Sequence, residues 1–119
     1  MNMYREELME HYKNPLHRGV IKNPTREVEK KNPMCGDIIK VQVIIKGNVV
    51  EDVKFNGESC AICLASADIL AHEVIGKSVF EVKKMSKKDL LKLIGVELTT
   101  SRVKCAELSL IALIEALGS

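Results

Sequence analysis

Asp37-Ile38-Ile39-Lys40-Val41-Gln42-Val43-Ile44-Ile45-Lys46-Gly47-Asn48-Val49-Val50-Glu51-Asp52-Val53-Lys54-Phe55-Asn56 reads as two extended segments around a tight turn. In the first half Ile39, Val41, Val43 and Ile45 share one face, and Lys40, Gln42 and Lys46 share the other. That period of two predicts a strand over 37–46 with one wet side. Gly47-Asn48 falls between the apolar runs as a two-residue hairpin loop with glycine first. The return strand, 49–56, is expected to turn Val49, Val53 and Phe55 inward and Asp52 and Lys54 outward. An antiparallel meander with one polar face follows.

Upstream, Leu8, Met9 and Tyr12 at helical spacing predict a helix over 4–12, stopped by Asn14-Pro15. A loop punctuated by Gly19 and Pro24 leads to an edge strand over 25–31. Downstream the pattern switches to helix. Residues 61–75 are rich in alanine and other small side chains, which permit close packing, and Gly76 closes the run. Ser78 and Ser86 are N-caps for short helices ending near Lys84 and Ile94. Thr99 to Ser101 cap a last helix with Val103, Ala106, Leu110, Leu113, Ile114 and Leu117 on one stripe. Strands first and helices afterwards make an α+β domain.

Composition narrows the function classes. At 119 residues and 46% hydrophobic content, residues 1–119 are expected to form one domain. The net charge is only +2 and aromatic residues make up 3%, so no basic, aromatic surface for nucleic acid is expected. Lys83, Lys84, Lys87 and Lys88 read as the solvated side of a helical region. No run approaches the ~20 apolar residues of a membrane span, and the first residues lack the apolar stretch of a signal peptide, so a cytoplasmic location is expected. In a reducing compartment the four cysteines are expected to remain thiols.

Three cysteines stand where a loop meets a regular element: Cys35 before the central strand, Cys60 at the start of the small-residue helix, and Cys105 in the first turn of the last helix. Unpaired amides at a helix start favour the thiolate that binds metal. Gly36 permits a sharp turn, and Asp37 adds a carboxylate beside Cys35. Three sulfurs and one oxygen that converge would suit zinc, copper(I) or iron–sulfur chemistry. Cys63, three residues after Cys60, completes a C-x-x-C, but no second such pair spells a closed zinc knuckle, and the hairpin denies the βαβ context of a redox dithiol. It reads equally as a packed thiol or a spare ligand. Lys104 can pair with Asp37 or support a thiolate, or simply be solvated. His11, His17 and His72 have no ligand spacing to a cysteine and are expected to be solvated or hydrogen-bonded.

At these residues the chain resembles the IscU/SufU scaffolds of iron–sulfur cluster assembly, the NifU N-terminal type. Glu10-His11-Tyr12-Lys13-Asn14-Pro15 is similar to that family's opening helix and stop, and Cys35-Gly36-Asp37 to its first ligand motif. Glu51 to Phe55 matches the strand before the second cysteine, Cys60 with Ala65-Ser66-Ala67 the second, Gly76-Lys77-Ser78 the helix break, and Cys105 the third. The resemblance implies a three-stranded antiparallel sheet packed by helices, of which the sequence offers about five, with the site at one exposed end. It implies Cys35, Asp37, Cys60 and Cys105 as the ligands of a [2Fe-2S] cluster, convertible to [4Fe-4S], with Asp37 the labile fourth and zinc as the metal of the cluster-free form. It implies sulfur delivery from a cysteine desulfurase to Cys105, transfer to recipient apoproteins, and a homodimer as an assembly the exposed site would allow.

Lys104 stands where IscU-type members carry a histidine, as in SufU-type members, which implies a zinc-dependent sulfurtransferase as the rival function. The insertion that SufU-type members carry between the second and third cysteines does not appear. Thr99-Thr100-Ser101 replaces the proline-rich chaperone-recognition stretch of bacterial IscU, and Cys63 stands where the family usually has a small residue.

Overall fold

A computed structural model describes residues 3–32 and 36–118. Among them lie a three-stranded sheet and five helices: α1 Met3–Lys13, β1 Arg26–Asn32, β2 Asp37–Lys46, β3 Val49–Glu58, α2 Ala61–Val74, α3 Val79–Lys83, α4 Lys87–Ile94 and α5 Thr100–Ala116. The sheet is antiparallel in the order β1-β2-β3. This is the expected α+β architecture.

The hairpin turns at Gly47 and Asn48, with φ of 56° and 64°, and Lys46 pairs with Val49. Positive φ at both central residues is the mark of a type I′ turn, whose twist matches the flanking strands. The inward set of β3 differs from expectation. Val49 is 39% exposed, whereas Val50 is fully buried. The cause is a bulge: Ile44 pairs with Asp52 but Ile45 pairs with Val50, so Glu51 is an extra residue. One inserted residue reverses the side-chain alternation on the turn side of the bulge while Val53 and Phe55 stay inward. The outer face is also less wet than its pattern predicts. Gln42 is buried, accepting the Ile21 amide at 2.8 Å and donating to Glu27 at 2.9 Å.

Two short segments close the outer edge of β3. The Gly19 amide donates to the Phe55 carbonyl at 2.9 Å, and the Phe55 amide to the His17 carbonyl at 3.0 Å. At the other end the Val50 amide reaches the Lys77 carbonyl and the Val79 amide reaches the Asn48 carbonyl, both at 2.9 Å. Unpaired strand edges invite association, and these contacts remove most of this one.

The helices take their starts from the expected caps. Ser86 and Asp89 form a capping box, Asp89 titrating below the ordinary aspartate range because it accepts the Ser86 amide, and Thr99 caps α5. Helix α2 packs against α1, α5 and β3 at once. Small residues make that possible: Ala65, Ser66, Ala67, Asp68 and Ala71 are all buried. Helix α5 is buried over a wider arc than a single stripe, taking in Cys105, Leu108, Ser109 and Ala112, because it contacts both α2 and the sheet.

The register sets up one functional end. Asn32 pairs with Asp37 and Ile38 with Glu58, so the end of β1, the start of β2 and the end of β3 lie side by side. Gly57, with φ of 150°, is required there: a Cβ would collide with the Ile38 carbonyl oxygen. The chain can therefore leave β3 close against β2 and deliver Cys60 beside Asp37.

Candidate metal centre

Asp37, the first residue of β2, is 5% exposed. Its carboxylate accepts the Cys60 amide at 3.2 Å, which ties the entry of α2 to the start of β2. Cys60 is the N-cap of α2, with φ −68° and ψ 162°, and its sulfur accepts the Cys63 amide at 3.4 Å. A sulfur in this position faces the positive end of a 14-residue helix. Cys105 comes from the second turn of α5 and is 5% exposed. It was expected in the first turn on an exposed tip. The cap lies at Thr99, so Cys105 is instead carried inward on the packed face.

One donor atom each from Asp37, Cys60 and Cys105 lies within 4.8 Å of the other two. Three separate elements thus bring two thiols and a carboxylate together. This donor set fits a soft or borderline metal centre, zinc or iron–sulfur, since sulfur ligands discriminate against hard cations. The buried hydroxyl of Ser59, the residue before Cys60, has no hydrogen-bond partner among the described residues. Cys35, with Pro33 and Met34, lies outside the described residues.

Two clefts border the centre. One of about 800 Å³ is lined by Asn32, Thr99, Thr100, Arg102, Lys104 and Cys105. The other, about 690 Å³, reaches Cys60 between Leu8, Met9, Ile62 and Leu98. Arg102 lines both, a position the sequence reading passed over although it stands three residues before Cys105. Lys104 is exposed, and no ion pair joins it to Asp37 among the described residues.

Cys63 is fully buried in the hydrophobic core and does not belong to the three-donor group. Cys63→Ala is expected to cost about 1 kcal/mol, the scale of one deleted buried heavy atom, while leaving metal loading near wild type. Thermal unfolding and metal analysis of the variant check both halves.

The histidines stay away from the thiols, hydrogen-bonded as expected. His11 Nδ1 lies 2.6 Å from one oxygen of Asp68, and the His17 amide donates to the other at 2.8 Å. Asp68, fully buried, thus anchors the N-terminal segment to α2, a role the sequence reading missed. The signal was present: Asp68 is the sole charged residue between Ala61 and Ala71.

The sequence profile of the NifU-like N terminal domain matches residues 3–119. The chain belongs to this family. NifU-like relatives include the zinc-dependent sulfurtransferase SufU of Bacillus subtilis, 38% identical, the match covering 90% of this chain and 84% of that protein. The iron–sulfur cluster assembly scaffold protein IscU of Thermotoga maritima is 31% identical, over 97% of this chain and 92% of its own length. Among solved NifU-like structures, a putative iron–sulfur cluster assembly scaffold protein for the SUF system from Fervidobacterium islandicum superposes with a TM-score of 0.80 at 29% identity, covering 94% of both chains. No described helix is long and apolar enough to cross a membrane.

Proposed function

We propose that this protein is a scaffold on which a [2Fe-2S] cluster, convertible to [4Fe-4S], is assembled and then passed to recipient apoproteins. The convergence of Asp37, Cys60 and Cys105 within 4.8 Å supports this most directly. Cys35, two residues before Asp37, is the third thiol ligand in this reading, and Asp37 is the labile fourth. A carboxylate is a hard donor for a soft cluster, so it holds the cargo less firmly than a fourth thiolate would.

Sulfur arrives as the persulfide of a cysteine desulfurase. The Cys105 thiolate attacks the outer sulfur, a new S–S bond forms on Cys105, and the desulfurase thiolate leaves. The 800 Å³ cleft gives the incoming group access to Cys105, and Arg102 and Lys104 on its wall offset the anionic charge. The site at one end of the molecule also suits a homodimer that faces two centres together. A cytoplasmic location fits the thiol chemistry.

A second reading, a zinc-dependent sulfurtransferase that accepts persulfide sulfur without building a cluster, is favoured by the 38% identity to SufU and by Lys104 beside Cys105. Anaerobic reconstitution with ferrous iron, cysteine, a desulfurase and a thiol reductant that brings persulfide sulfur to sulfide, followed by mixing with an apo-ferredoxin, separates the two. A scaffold develops visible absorbance that moves to the ferredoxin. A transferase takes up sulfur on Cys105 and stays colourless.

Asp37→Ala is expected to hold its cluster several-fold longer than wild type under chelator challenge, read as the decay of visible absorbance. The three thiolates remain and the exchangeable oxygen contact is gone. A variant that decays faster, or never loads, would make Asp37 an essential ligand, a role to which its hold on the Cys60 amide would contribute.

A further inference from the structure

A second group of metal-ligating side chains lies at the far end of α2. His17 Nε2 and His72 Nδ1 are 3.4 Å apart, with ring centroids separated by 5.6 Å and the planes inclined at 42°. His72 stands twelve residues beyond Cys60, so it lies about 18 Å along the helix from the candidate metal centre. We propose that His17 and His72 form a separate site for one divalent transition-metal ion, zinc above all, held between His17 Nε2 and His72 Nδ1.

The spacing carries the argument. Two imidazole nitrogens bound tetrahedrally to zinc at about 2.0–2.1 Å stand about 3.3–3.4 Å from one another. Direct hydrogen bonds from nitrogen donors cluster at about 2.7–3.2 Å. At 3.4 Å the pair is a long hydrogen bond, and the same spacing accommodates a shared ion. Imidazole is a borderline donor, suited to zinc, copper and nickel and poorly suited to magnesium or calcium.

His17 is also held in place before any ion binds. Its amide donates to Asp68 at 2.8 Å and its carbonyl accepts the Phe55 amide at 3.0 Å, so α2 and β3 together fix the backbone that carries the ring. The groups facing it are Asp68 and His72 from α2 and Lys54 and Asp52 from β3. Burial, followed by the charges of Lys54 and His72, holds His17 below the ordinary histidine range against the opposing pull of Asp68 and Asp52. The neutral ring that a metal requires is thus the resting form at neutral pH. Ion binding needs one tautomer on each ring, with His17 protonated on Nδ1 and His72 on Nε2. A tautomer shift supplies this without net proton release.

An ion here joins the segment after α1 to the C-terminal half of α2. Two nitrogens leave the remaining positions to water, so the site is open and reversible. It would couple zinc occupancy to the docking of the N-terminal segment, independently of what the cysteines hold.

Calorimetric zinc titration of the full chain, preloaded with one zinc equivalent at the cysteines, tests this. Wild type should take up a second equivalent. His17→Gln, at a half-buried position, and His72→Gln, at an exposed one, should each weaken that step at least about tenfold, because a two-point chelate becomes a single contact. In parallel, ¹⁵N spectra should show His17 Nε2 and His72 Nδ1 shifting together as the second equivalent binds. A second equivalent of unchanged affinity in either variant would overturn the proposal. So would its absence from wild type up to millimolar zinc, or a shift at one ring alone.

Discussion

Cys60→Ser and Cys105→Ser proteins are expected to emerge from anaerobic reconstitution with less than about a tenth of the wild-type iron and acid-labile sulfide, the scale on which metal sites respond to loss of a contributing group. Each serine keeps the shape of the side chain but replaces a soft, ionisable sulfur with a hard hydroxyl that stays protonated near neutrality. The losses should be similar in size although the settings differ: Cys60 caps α2 and is partly accessible, whereas Cys105 is buried on α5. Equal loss from unequal positions marks shared ligation, because packing damage alone would fall mainly on Cys105. Cys35→Ser is expected to behave likewise from its place in the Cys35-Gly36-Asp37 motif, and Cys63→Ala is the control that retains loading. Circular dichroism of the unloaded variants checks that the fold survives. Wild-type iron and sulfide in either serine variant would remove that residue from the ligand set.

Asp68→Ala is expected to give the largest loss of stability of any single polar substitution considered, about 2–4 kcal/mol, because it deletes two charge-assisted hydrogen bonds from a fully buried carboxylate. For a chain of this length that corresponds to a fall in Tm of roughly 10 °C. The damage should be directional. His11 and the His17 amide lose their partner, so amide exchange should accelerate first in α1 and along 14–19, and later in the hairpin. Asp68→Asn keeps an acceptor for the His17 amide and should lose less. Thermal unfolding followed by circular dichroism, with hydrogen exchange in the same variants, measures both. An unchanged Tm in Asp68→Ala would show that the N-terminal segment docks through its apolar contacts alone.

The contrast between these residues shows what the sequence made legible. Strand β2 was readable because its inward apolar residues alternate over ten positions with a turn signal at their end. The caps at Ser78, Ser86 and Thr99 were readable because a short hydroxyl before a periodic run has few other uses. The inward choice at Val49 and Val50 was not, since Glu51 looks like any strand residue until pairing with β2 leaves it over. Gln42 looked wet because nothing in its own strand shows that Ile21 will cover it.

The candidate centre divides in the same way. Three of its members were named from local chemistry, a cysteine or aspartate at an element boundary, and from resemblance. The turn and burial of Cys105 depended on where α5 begins. Asp68 and Arg102 were missed because their meaning is tertiary. Asp68 matters through partners 51 and 57 residues away, and Arg102 through two clefts that exist only once α5 lies beside α2.

The most direct test of the scaffold reading is the metal and sulfide content of the protein isolated without oxygen from cells with a working iron–sulfur supply. The account predicts brown protein with iron and acid-labile sulfide in equal amounts, bleached by chelator and lost when Cys60 or Cys105 is serine. Colourless protein that carries zinc at the cysteines, with neither iron nor sulfide, would contradict it.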